Sequence, residues 1–205
     1  MSGSRDRHRR PRHSAGGVCS LPIDSVNVIP FGDYRIFVGA FPTGELAERI
    51  QRVRRHYDAT TARITPPHVT LAGTYWRTGP PTPANESFLV EQLCEVKLPA
   101  FALTLGGIQM FGERVLYLVT ASTPELLAVR RQLLAVMGQD KHPVYAPHLT
   151  LAMRLPPSAL QTMRAELEQS EWGRSRWQTP ITELWLMQRG PTDPVWRKIA
   201  GIPLL

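Results

Sequence analysis

Apolar positions along the chain switch between two periods. Residues 34–41 are mostly β-branched and aromatic, which predicts a strand closed by Pro42, Thr43 and Gly44. Leu46, Ile50, Val53 and Tyr57 then recur at helical spacing among Glu45, Glu48, Arg49, Arg52 and Arg54, so 43–57 reads as an amphipathic helix. Pro66 and Pro67 lead into a short strand over 68–75. A Pro-, Thr- and Gly-rich linker at 77–83 precedes a helix over 84–97 with Phe88, Leu89, Leu93 and Val96 on its apolar face. Two strands, 101–110 and 115–121, flank a turn at 111–114. Pro124 sits where a first helical turn accepts it, and Leu126, Leu127, Val129, Leu133, Leu134 and Met137 mark a helix ending near Gly138. A proline-containing approach leads to a strand over 148–153. Pro156 and Pro157 open a helix at 158–170, and strands follow at 182–188 and 195–202, the last broken by Gly201.

The order strand, helix, short strand, helix thus occurs twice, 80 residues apart, and predicts an α+β or α/β sheet protein with an internal repeat. The repeat is visible in the residues. Positions 67–72 read Pro-His-Val-Thr-Leu-Ala and positions 147–152 read Pro-His-Leu-Thr-Leu-Ala. A second copy arising by chance in a chain of ordinary composition has odds below about one in ten thousand.

Strand geometry turns this motif into chemistry. Side chains alternate, so His68 and Thr70 share one face while Val69 and Leu71 share the other; His148 and Thr150 do likewise. If a pseudo-twofold relates the halves, two imidazoles and two hydroxyls face one groove. Histidine titrates near neutral pH and suits general acid and base work. The hydroxyls can donate hydrogen bonds to nonbridging phosphate oxygens. A lone strand histidine is usually structural, but that reading does not account for the same His and Thr recurring at the same spacing. A metal site is the nearest competitor, and neither motif contains a second strong ligand. His56 and His142 read as solvent-facing. No cofactor is expected.

Duplicated His-x-Thr strands in a chain of this length resemble the 2H phosphoesterase superfamily, in its LigT-like branch of 2′-5′ RNA ligases and RNA 2′,3′-cyclic phosphodiesterases. The resemblance covers about 33–205 and rests on the two motifs, with element order in support. It implies an α+β fold of two pseudo-symmetric lobes of antiparallel sheet, with outer helices around a central groove. It implies metal-independent opening of a 2′,3′-cyclic phosphate to a 2′-phosphomonoester, with 2′-5′ joining as the related reverse chemistry in some members. His68, Thr70, His148 and Thr150 become the catalytic set, and relatives commonly use the second-half histidine, here His148, as the base. Many bacterial relatives place an Arg directly after the second motif; here Met153 stands there and Arg154 follows. By period two Arg154 shares the face of His148 and Thr150, which puts it within reach of phosphate or ribose; the competing reading is an exposed strand-end arginine. Tyr145 and Trp76 flank the motifs and are either base-stacking or core residues. The expected partner is an RNA end or small nucleotide carrying a cyclic phosphate. A non-catalytic RNA-binding module is the alternative of a different class.

Charge changes this picture little. The 24 Lys and Arg against 17 Asp and Glu make the formal charge +7. Arg5, Arg7, Arg9, Arg10 and Arg12 against Asp6 concentrate +4 of it in residues 1–14. Residues 1–20 therefore read as a basic disordered tail, either incidental or a nucleic-acid arm, and 21–205 as one bilobal domain. No run approaches the roughly 18 apolar residues of a membrane span. Cys19 and Cys94 form no framework, which fits a reducing, cytoplasmic setting. A monomer is expected.

Overall fold

Eight strands hydrogen-bond into one antiparallel sheet in the order β6-β3-β4-β5-β2-β1-β7-β8. The computed structural model describes residues 33–142 and 144–205; the expected basic tail lies outside them. The strands are β1 (Tyr34–Ala40), β2 (Val69–Arg77), β3 (Phe101–Phe111), β4 (Val115–Thr120), β5 (His148–Ala152), β6 (Arg176–Ile181), β7 (Glu183–Arg189) and β8 (Arg197–Pro203). The helices are α1 (Gly44–Tyr57), α2 (Ala59–Ile64), α3 (Ser87–Glu95), α4 (Pro124–Met137), α5 (Pro157–Gln169) and α6 (Glu171–Arg174). From its centre the sheet runs β2-β1-β7-β8 on one side and β5-β4-β3-β6 on the other, with β2-β1 corresponding to β5-β4 and the outer strands connected differently. The two lobes are thus halves of one sheet, and α1 and α4 start 80 residues apart.

The alternation in the motif strands decides which face is covered. Val69, Leu71, Leu149 and Leu151 are fully buried with Ile36, Val38, Ile50, Leu126 and Leu133 in one core beneath the helices. Each such side chain contributes roughly 1.5–3 kcal/mol by leaving water. The opposite face carries the histidines and threonines.

Three elements escape the periodicity. The short helices α2 and α6 hold too few residues to show it. β6 contains Pro180, which speaks against a central strand, but β6 is the edge strand, where the missing N–H costs no ladder bond. Gly201 does not break the last strand. It lies inside β8 opposite Trp185, and a Cβ there would collide with the Glu183 carboxylate. Arg54, assigned by pattern to the polar face of α1, is 2% exposed. Because α2 folds back on α1, its guanidinium donates to the carbonyls of Thr65 (2.8 Å) and Thr61 (3.2 Å) and to Gln51 Oε1 (2.9 Å).

Candidate active site

The two motifs meet at the centre of the sheet. β2 and β5 are adjacent and antiparallel, with Val69 opposite Leu149. That register sets His68 across from Thr150 and Thr70 across from His148, the arrangement a twofold axis through the pair requires. All four side chains are half-buried on the uncovered face.

Proline makes the histidine environments alike. Pro67 and Pro147 each hold the preceding residue extended. The Pro66 carbonyl then lies 2.9 Å from His68 Nδ1, and the Ala146 carbonyl 2.8 Å from His148 Nδ1. A carbonyl only accepts, so each Nδ1 carries a proton and each neutral ring presents an unprotonated Nε2. Neither threonine hydroxyl hydrogen-bonds another described group.

The rings differ in what surrounds them. His68 stacks on Phe37 and Phe41, with centroids 4.8 and 5.2 Å away. His148 meets Phe111 and Tyr117 edge-on at 4.7 and 5.2 Å. Burial pushes the His68 imidazolium down to about 4; the Pro66 carbonyl opposes this, and Arg54 and His148 add to it. Burial also lowers His148, the Ala146 carbonyl opposes, and His142 adds to the lowering.

A cavity of about 530 Å³ opens beside Thr70, His148 and Thr150. Phe111, Val144 and Met153 put exposed apolar surface on its wall, and Lys141 and His142 reach its rim. His142 is solvent-exposed as expected but belongs to this wall. A broader open depression of about 600 Å³ lies between α1 and Pro66–Pro67 and includes neither motif histidine.

Tyr145 lines the cavity, but both ends are engaged. Its hydroxyl donates to the Thr70 carbonyl at 2.8 Å, and the Arg130 guanidinium lies 4.0 Å over its ring. It braces the first motif. Arg154 lies in a bend beyond β5, which ends at Ala152, so strand alternation does not extend to it. Its side chain is exposed and is not part of the cavity wall. Trp76 is 43% exposed, with the Arg35 guanidinium 5.3 Å from its ring.

Two buried carboxylates escape motif reading. Asp58 Oδ2 accepts the N–H groups of Met153 and Arg154, both at 3.0 Å, while both of its oxygens hold Thr61 at the start of α2. Asp140 accepts the N–H of Gly73 at 3.2 Å and pairs with Arg130 at 2.8 and 3.0 Å. Arg130 also donates to the Leu71 carbonyl at 2.5 Å. Each carboxylate therefore holds the residue that follows the other half's motif. Burial opposes ionisation of both, yet the hydrogen bonds they accept hold both carboxyls below the usual range. The available signal was positional: each Asp follows an equivalent helix of the repeat, α1 or α4.

An antiparallel sheet whose central pair carries twofold-related His-x-Thr strands defines a 2H phosphoesterase. The chain belongs to the 2′-5′ RNA ligase superfamily, whose family model matches residues 42–193. It is an enzyme of the phosphoesterase and ligase type. No curated protein matches it in sequence. Among solved structures it is similar in fold to Escherichia coli LigT in apo form, at 21% identity and a TM-score of 0.53, over 83% of this chain and 94% of that one. It is similar to TT0787 of Thermus thermophilus, at 17% identity and a TM-score of 0.54, over 83% and 97%. LigT complexed with 3′-AMP matches at 21% identity and a TM-score of 0.51, over 84% and 96%. Among the described residues no helix is long and apolar enough to cross a membrane.

Proposed function

We propose that the protein is a metal-independent phosphodiesterase that opens 2′,3′-cyclic phosphate ends of RNA to 2′-phosphomonoesters. The observation that carries this reading is the pair of Nε2 atoms left free by two equivalent Nδ1–carbonyl contacts across a twofold. A cyclic phosphate between them has a base on the attacking side and an acid on the leaving side. One Nε2 takes a proton from water as the water oxygen bonds to phosphorus. The P–O3′ bond breaks, and the other histidine, protonated, gives its proton to O3′. The product carries a 2′-phosphate and a 3′-hydroxyl. Thr70 and Thr150 donate to the nonbridging oxygens, where charge grows in the transition state. A 5′-hydroxyl replacing water makes a 2′-5′ linkage by the same steps. LigT, of similar fold, has been captured with 3′-AMP, which fits a nucleotide in the groove.

The proton roles follow from burial. Burial against Phe37 and Phe41 holds the His68 imidazolium down to about 4, which favours the neutral ring there. This supports His68 as base and His148 as acid in ring opening, the reverse of the assignment implied by resemblance.

The test uses a 2′,3′-cyclic nucleotide with excess EDTA, the wild type, and separate His68→Ala and His148→Ala proteins. Expected are turnover unaffected by EDTA, a 2′-monophosphate product, and losses of at least about 100-fold in each variant. Inhibition by EDTA, or activity surviving both substitutions, refutes the reading.

A further inference from the structure

The inner strands of the two lobes correspond, β2-β1 with β5-β4, but the lobes differ in what they present on the uncovered face. Strand register carries that face outward from Thr70. Thr70 lies opposite Gly39, and Gly39 opposite Trp185. Two residues along β1, Phe37 faces Met187, and Arg35 faces both Trp76 and Arg189. Met187 in turn faces Lys198. Arg35, Arg189, Lys198, Trp76 and Trp185 therefore share the face of His68 and Thr70, and Trp196 joins them against Phe37 at 4.7 Å.

The cations are placed unusually for a protein surface. Like charges directly opposite on neighbouring strands are destabilising. Arg35 and Arg189 are such a pair, and among the described residues no carboxylate forms a salt bridge with either. The Arg35 guanidinium lies 5.3 Å from the Trp76 ring and 5.4 Å from the Trp196 ring. Arg189 uses Nε to bond the Asp193 carbonyl at 2.9 Å. Farther out, Lys198 Nζ lies 4.6 Å from the Trp185 ring. One carboxylate belongs to the group: Glu183 accepts from Lys198 Nζ and Trp185 Nε1, both at 2.6 Å, and orients them. Gly39 and Val38 pair with Thr70 and Ala72 as Tyr117 and Leu116 pair with Thr150 and Ala152, so the counterpart of Phe37 is Val115 and that of Arg35 is Glu113, in the turn between β3 and β4. The internal symmetry does not require the cationic side.

We infer that the β1–β7–β8 face is a binding track for single-stranded RNA leading into the active site, so the preferred substrate is an oligonucleotide rather than a mononucleotide. Alternating indole faces and cations suit a chain that presents a base and a phosphate at each step. A free cyclic mononucleotide seated between the histidines has no phosphate to place against Arg35 and Arg189. The inference rests on the phosphodiesterase reading for its substrate end, but binding to the track is measurable without turnover.

The experiment uses the full chain, its basic tail retained in every variant. A fluorescent 12-nucleotide single-stranded RNA ending in a 3′-hydroxyl is titrated by anisotropy at several salt concentrations. The proteins are wild type, Arg189→Gln and, as a variant at an exposed position, Lys198→Gln. Each substitution should weaken binding about three- to tenfold at low salt and reduce the slope of log K against log[salt] by about 0.7, one strand phosphate. A cyclic-phosphate 12-mer should exceed the cyclic mononucleotide in kcat/KM at least tenfold in wild type, and this ratio should fall in both variants. Unchanged RNA affinity in both folded variants overturns the track. So does equal competition by a polyglutamate of matched charge, which identifies a general polyanion surface. If RNA binds as stated but neither cyclic substrate turns over, the track stands and the phosphodiesterase reading falls.

Discussion

Asp58→Asn tests how the two halves hold each other. Asp58 is 3% exposed and accepts four hydrogen bonds: from Thr61 N and Oγ1, Met153 N and Arg154 N. Asparagine keeps one carbonyl oxygen for the α2 cap. Its amide then points hydrogens at the two backbone N–H groups following β5. Two charge-assisted bonds are lost, at about 1.5–3 kcal/mol each, and buried Arg54 loses a favourable charge nearby. These losses overlap, so the expected destabilisation is about 3–5 kcal/mol, the range for breaking a buried ionic contact. That is a large part of a typical stability of about 5–15 kcal/mol. With a urea m-value near 2 kcal/mol/M, the midpoint should fall by about 1.5–2.5 M. Glu168→Gln, in an exposed i,i+4 pair, should stay within about 0.5 kcal/mol. The sign with pH is set by the depressed Asp58 carboxyl. Its contribution is complete above the ordinary carboxylate range near pH 4 and disappears as pH falls through the lower folded value. The gap between wild type and D58N should therefore narrow below about pH 4. A midpoint loss under about 0.5 M, or a gap independent of pH, refutes the clamp.

Both motif imidazoles lie below the ordinary histidine value in the free protein, so kcat/KM should peak below about pH 6.5, and a plateau across pH 7–8 contradicts the proton roles. The unfolded chain binds a proton at His68 near pH 6.5 and the folded chain only near 4, so His68 lowers stability as pH falls between these values; His68→Phe should flatten that slope in urea titrations. Phe41→Leu removes one of the two rings packed against His68 and should raise the His68 pKa, read from its imidazole NMR shifts, while leaving His148 in place. Gly39→Ala puts a Cβ 3.0 Å from Phe37 and 3.2 Å from Phe41, and the rings that must move are those holding His68. It should cost about 1–3 kcal/mol, with a loss of kcat beyond what the fraction unfolded explains.

Most of the elements follow from local pattern because burial on one face imposes a period on each. The repeated Pro-His-x-Thr strand pointed to the candidate chemistry because alternation separates its polar and aliphatic residues; the carbonyl contacts that select the histidine tautomer appear only in the structure. Residues whose roles depend on distant partners were not legible. Tyr145 reads from sequence as either a base-stacking or a core residue, and the Thr70 carbonyl and Arg130 at its two ends make it a brace of the first motif. Arg154 followed the strand rule on paper, but β5 stops two residues short of it.

Sequence alone determined that two matched imidazole–hydroxyl pairs exist and that each sits on one face of a strand. That follows from local geometry and needs no knowledge of the rest of the chain. Tertiary structure decided that the pairs face each other, that the two histidine rings sit in different aromatic surroundings, and that Arg35 and Arg189 stand side by side. Those facts depend on strand order and register, which bring together residues as far as 154 positions apart. No period in the sequence encodes a contact of that range.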